Sequence, residues 1–142
     1  MYRFAVLLGL ALAAPAAQAE DPLPANSFAD SYGRYAPAGD CAREPRITVA
    51  VSGLEISIGG TSERIARPEV AWSYFGPGYQ GIARALFPYT GAERPVIILL
   101  NDGEVPGALR IDPHDRGYQG GPPLSARHQA LVDGSPYGRC GY

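Results

Sequence analysis

From Arg46 to Gly59 the chain alternates apolar and polar side chains at the period of a β-strand, with a glycine near the middle. Ile47, Val49 and Val51 alternate with Arg46, Thr48, Ala50 and Ser52; Leu54, Ile56 and Ile58 alternate with Glu55, Ser57 and Gly59. A two-residue turn at Ser52-Gly53 would oppose Val51 with Leu54, Val49 with Ile56 and Ile47 with Ile58, placing every large apolar side chain on one face. Thr48/Ser57 and Ala50/Glu55 would then share the wet face. A slip of one residue would turn the apolar set to water, so the pattern predicts a hairpin with one buried face.

The same punctuation continues downstream. Gly59-Gly60 predicts a turn, and the run from Glu63 to Phe75 reads as strand interrupted at Pro68, which marks an edge, a bulge or a break. Within it Val70, Trp72 and Tyr74 share one side, and Ala71, Ser73 and Phe75 the other. Ile82 to Tyr89 fits a helix or a strand, and the short glycine-containing connections on either side favour a strand. Val96 to Leu100 reads as a central strand, and Ala108 to Asp112 as a shorter one with Leu109 and Ile111 on one face. Leu124 to Asp133 predicts a short helix with Ser125 as N-cap and Gly134 as stop; Leu124, Ala130 and Leu131 face the sheet, and Arg127 and Gln129 face water. Upstream, Glu20 to Ala25 reads as a loose leader, while Phe28, Tyr32 and Tyr35 fit one face of a short helix or an irregular segment pinned by its rings. The expected fold is mainly β: about six short strands in an antiparallel meander curled into a small barrel or half-barrel, with a short C-terminal helix and one disulfide.

The first nineteen residues carry the signature of a cleavable signal peptide. Arg3 supplies the positive start, Phe4 to Ala14 the apolar stretch, and Ala17-Gln18-Ala19 the small-x-small cleavage site. A membrane span would need about 20 apolar residues, and Pro15 interrupts this one. Residues 20–142 are then expected to form a single exported domain, periplasmic or secreted, with no stable membrane insertion after cleavage. Cys41 and Cys140 are the only cysteines of the 142-residue chain; an even pair in an exported protein, without C-x-x-C spacing, predicts a structural disulfide. All 12 basic residues are arginine, and without Arg3 the 11 that remain face 14 acidic residues, a net charge of −3. That balance, with no basic run, offers nucleic acid no footprint.

Candidate sites are few. Asp112, His114 and Asp115 form the densest polar cluster, in a D-P-H-D stretch that reads either as a turn or as the start of a metal or acid–base site. His128 reads as a surface or capping residue. The serines lie in no G-x-S-x-G context, no carboxylate pair stands out, and no phosphate loop is present, so no cofactor is expected. Tyr74, Phe75 and Tyr79 flank Gly76-Pro77-Gly78, and large rings at a loop tip suit binding to protein or glycan.

In size, compartment and fold class the chain resembles periplasmic lysozyme inhibitors, whose families present a Ser-Gly-x-x-Tyr-type loop to the enzyme. Here Ser52-Gly53 is followed by Leu54, Glu55 and Ile56, so the tyrosine of that loop is missing and no functional residue is carried over. Three classes stay open. The leading one is a non-catalytic binding or inhibitor-type module acting on an envelope protein or glycan through Tyr74, Phe75 and Tyr79. The others are a structural or accessory envelope protein, and a small metal-dependent or hydrolytic enzyme using Asp112, His114 and Asp115.

Overall fold

Burial alternates with period two in β-strands Arg46–Ala50, Val96–Leu100 and Ala108–Pro113, where the sequence predicts strand. The computed structural model describes residues 19–71, 80–91, 94–114 and 123–141. Among them are nine strands: β1 (Gly33–Pro37), β2 (Arg46–Ala50), β3 (Gly53–Ile58), β4 (Thr61–Ile65), β5 (Glu69–Ala71), β6 (Arg84–Phe87), β7 (Val96–Leu100), β8 (Ala108–Pro113) and β9 (Tyr137–Arg139). They form one sheet in the order β4-β3-β2-β1-β9-β8-β7-β6-β5, with every neighbouring pair antiparallel. Two meanders, β1 to β4 and β5 to β8, are therefore joined side by side through the C-terminal strand β9. The sheet curls into a half-barrel, as expected. Its edge strands β4 and β5 are linked by only Ala66, Arg67 and Pro68, a connection that reaches at most about 14 Å. The break expected at Pro68 is thus the seam of the half-barrel.

The concave face holds the core. Ile47, Val49, Leu54, Ile56, Leu86, Val96, Ile98, Leu100, Leu109 and Ile111 are buried there with Phe28, Leu131 and the rings of Tyr35 and Tyr137. Both buried phenols keep a partner: Tyr35 donates to the Ser31 carbonyl (2.7 Å) and Tyr137 to the Leu131 carbonyl (2.7 Å), so neither hydroxyl is stranded in an apolar interior. Helix α2 (Ala126–Asp133) starts as expected, with the Ser125 hydroxyl accepting from the His128 N–H, and stops at Gly134. The disulfide joins Cys41, just after β1, to Cys140, just after β9, with Cα atoms 5.6 Å apart. No helix among the described residues is long and apolar enough to cross a membrane.

Three expectations need correction besides the strand count, which is nine among the described residues where about six were expected. The segment of Phe28, Tyr32 and Tyr35 takes its irregular alternative, pinned by its rings. The β2–β3 hairpin keeps the expected face, but its register is two residues away: Val49 opposes Leu54 and Ile47 opposes Ile56, and the turn is Val51-Ser52. Gly53 has φ +113° and belongs to β3, where a Cβ would collide with the carbonyl oxygen of Ile65 and lie 2.9 Å from that of Ala66. The glycine is there to let the end of β4 close in, and the turn moves upstream. The leader is not loose: Leu23 is fully buried, donates its N–H to the Val51 carbonyl (3.3 Å) and receives the Tyr32 hydroxyl on its own carbonyl. Phe28, Tyr32 and Tyr35 do not share a helix; a single turn α1 (Ala25–Phe28) and a 3-10 turn (Ala29–Ser31) give way to β1, which carries Tyr35. Finally, Arg127 does not face water but crosses to the sheet, donating to the Ile56 carbonyl (3.2 Å).

Candidate functional site

A constrained surface feature is the loop joining β7 to β8. Asn101-Asp102-Gly103 ends the β7 strand as a turn former should, yet the backbone goes further than a turn requires. Asn101 (φ 49°) and Glu104 (φ 63°) both sit in the left-handed region without being glycine, with Gly103 (φ 64°) between them. For Glu104 this costs about 1–2 kcal/mol, for Asn101 less because asparagine enters that region readily, and such a residue persists where its surroundings hold it there.

The surroundings do hold it. Asn101 is fully buried, and its Nδ2 faces the Ser31 hydroxyl (3.2 Å), the Ile82 carbonyl (3.1 Å) and Asp30 Oδ2 (3.4 Å). Its Oδ1 accepts the Gly107 N–H (3.0 Å), which closes the base of the loop. Glu104 Oε2 accepts the Ile82 N–H (3.1 Å), and Glu104 Oε1 is buried with no partner among the described residues. Asp102 accepts from Arg110 Nε (2.8 Å) and Nη2 (3.2 Å). The Asp102 and Asp112 carboxylates flank the Arg110 guanidinium and hold its proton more tightly than usual, the bond to Asp102 being the main cause. The main chain is bonded internally as well: Glu104 N–H to the Asn101 carbonyl, Val105 N–H to the Asp102 carbonyl and Ala108 N–H to the Val105 carbonyl.

With the side chains of Asn101, Asp102 and Glu104 all tied down, Val105 is what the loop displays. It is 56% exposed and is followed by Pro106, which fixes its own φ. A single exposed valine is ordinary. A valine held out by two strained non-glycine residues and a set of buried polar ties is a preorganised projection. The N–H groups of Glu104, Val105, Gly107 and Ala108 are bonded within the loop, so Val105 offers a partner its side chain and not its N–H.

The sequence-based candidates fall in two groups. Tyr74, Phe75, Tyr79 and Asp115 lie outside the described residues. The chain re-enters them at Gln80, two residues before Ile82, whose N–H donates to Glu104 and whose carbonyl accepts from Asn101. Asp112 and His114 are described, and each is occupied. Asp112 pairs with Arg110. His114 sets its ring edge-on to Phe87, centroids 4.8 Å apart, and its backbone N–H donates to the Pro95 carbonyl. Among the described residues no three His, Cys, Asp or Glu side chains gather as a metal site. Sequence reasoning took Asn101-Asp102-Gly103 as simple punctuation and passed over Val105; the signal available was an apolar residue placed inside a turn and followed by Pro106-Gly107.

No protein-family model, curated protein or solved structure matches this chain.

Proposed function

We propose that this is an exported, non-catalytic binding module that docks on a protein of the cell envelope, in the manner of an inhibitor, through the preorganised loop Asn101–Gly107. The observation that carries the reading is the left-handed backbone at Asn101 and Glu104, held by ties to Ser31, Asp30 and Ile82, beneath an exposed Val105. Ordering a flexible loop on binding costs about 0.5–1.5 kcal/mol for each immobilised side chain, and a loop already ordered in the free protein avoids that cost. A narrow convex tip with one branched apolar side chain suits a concave pocket. The Cys41–Cys140 bond supports an oxidising compartment, and Met1 to Ala19 supplies the route to it.

Capture of partners from an envelope extract by the immobilised protein tests the reading. Val105→Asp is expected to weaken capture of the specific partner by about thirtyfold, the effect of losing roughly 2 kcal/mol at a central contact, with the melting temperature within a few degrees of the parent. Val51→Asp, a change at the other large exposed apolar residue among those described, is expected to capture normally. If Val105→Asp captures as the parent does while Phe75→Ala or Tyr79→Ala fails, the loop is not the contact. If His114→Ala abolishes a hydrolytic activity that the loop variants keep, the protein is an enzyme.

A further inference from the structure

Away from the binding loop, four polar side chains from three elements meet across the seam of the half-barrel. Glu63 projects from β4, the first strand in the sheet order; Tyr89 lies just beyond β6, near the other end of that order; Arg127 and His128 come from α2. The Tyr89 hydroxyl donates to Glu63 Oε2 (3.0 Å), and Arg127 Nη2 lies 3.5 Å from the same oxygen while donating to the Ile56 carbonyl of β3. The His128 ring is tilted against the Tyr89 ring, centroids 4.8 Å apart. One carboxylate oxygen thus fastens an edge strand to a connection on the far side of the sheet, with the imidazole packed behind the phenol that makes the bond.

We propose that this cluster is an acid-released clasp: protonation of His128 frees strand β4 from Tyr89 and α2 and opens the seam. The groups facing the imidazole are Tyr89 from the β6–β7 connection, Glu63 from β4 and Arg127 from its own helix. In the closed clasp, burial first and the neighbouring Arg127 second disfavour the imidazolium, and Glu63 opposes them without prevailing, so the proton is held less tightly than by an ordinary histidine. A group that binds its proton better in the open state contributes to closure in full at neutral pH. It gives that contribution up as the pH falls through the ordinary histidine range near 6.5. Imidazolium formation would leave a part-buried charge beside Arg127, and the ring regains water only by leaving Tyr89, so the packing between α2 and Tyr89 is lost first, against the attraction of Glu63 and of the Tyr89 ring for the cation. No residue of the binding loop takes part, and the proposal stands or falls separately from that reading.

Hydrogen exchange of the full-length mature chain at pH 7.5 and 5.5, corrected for the intrinsic pH dependence of exchange, tests it. The amides of Thr61–Ile65 are expected to lose protection at least severalfold more than those of Arg46–Ala50, which lie in the sheet interior. His128→Phe keeps a ring against Tyr89 but carries no proton, and is expected to hold the same amides protected at both pH values. Equal protection of β4 at both pH values in the parent would overturn the proposal. So would a loss that persists in His128→Phe, because Glu63 would then be the group responding. If the phenylalanine variant fails to fold, His128→Gln in the same measurement provides the uncharged reference and is read by the same criteria.

Discussion

Gly53→Ala tests the observed hairpin register against the one the sequence suggests, because the two give this glycine different tasks. In the structure Gly53 carries φ +113° and its missing side chain makes room for the carbonyls of Ile65 and Ala66. Alanine there must accept the unfavourable dihedral, at about 1–2 kcal/mol, and must also push back the end of β4, a backbone collision of the kind that overpacking places at about 1–3 kcal/mol. The sum is about 2–5 kcal/mol, a large share of the 5–15 kcal/mol that holds a typical domain. Gly60 supplies the control: it too has positive φ (+75°), yet a Cβ there meets nothing within 4 Å. Gly60→Ala should therefore cost only the dihedral. Equilibrium urea unfolding of the two variants gives the comparison, and the gap between them isolates the collision with β4. At roughly 3–6 °C per kcal/mol for a chain of this size, the difference is visible in thermal melts as well. If the variants are equally destabilised, Gly53 is a plain turn residue, the turn is Ser52-Gly53, and the closing of β4 onto β3 is wrong.

Further outcomes follow from the same geometry. Val49→Asp sets an unpaired charge in the core and should abolish cooperative folding, whereas Thr48→Asp on the other face should fold with a near-parental denaturation midpoint. Thiol titration of the denatured, unreduced protein should find no free thiol, and replacing both cysteines with serine should lower stability by about 4–5 kcal/mol on the chain-entropy argument for a loop of about 100 residues. Burial, and secondly the bond to Glu63, pushes the Tyr89 phenol up to about 12. An acid that holds its proton more tightly when folded stabilises fully below the ordinary tyrosine value near 10 and loses that contribution as the pH rises from there towards 12. Denaturation midpoints should fall through that window, and the fall should be shallower in Tyr89→Phe.

What the sequence disclosed and what it concealed divide along the range of the interactions involved. The faces of β2, β3 and β8 were legible because period two and a buried face are local properties: Ile47, Val49, Leu54, Ile56, Leu109 and Ile111 are all buried as the alternation requires. The N-cap at Ser125 is local too, and the structure has it. The register shift at Gly53 was not legible, because the carbonyls that demand a glycine arrive from Ile65 and Ala66 on a later strand. Strand β1 reads Gly-Arg-Tyr-Ala-Pro, with no alternation to notice; it is a strand because β2 and β9 pair with it on either side. Leu23 was hidden among polar and proline neighbours, and only the fold supplies the site that buries it. The loop proposed to dock was half visible. Its turn residues are adjacent in sequence, but the partners that keep it rigid, Ser31 and Ile82, lie far from Asn101 along the chain.

Rigidity of that loop in the free protein is the premise on which the proposed function rests, and backbone ¹⁵N relaxation measures it directly. The amides of Asp102, Gly103, Glu104 and Val105 are expected to show order parameters near 0.85, level with those of strand β7, because strained dihedrals and buried ties leave the loop a single conformation. Values below about 0.6 at Glu104 and Val105 would mean that the loop samples many conformations before it meets a partner, and would contradict a preorganised docking projection.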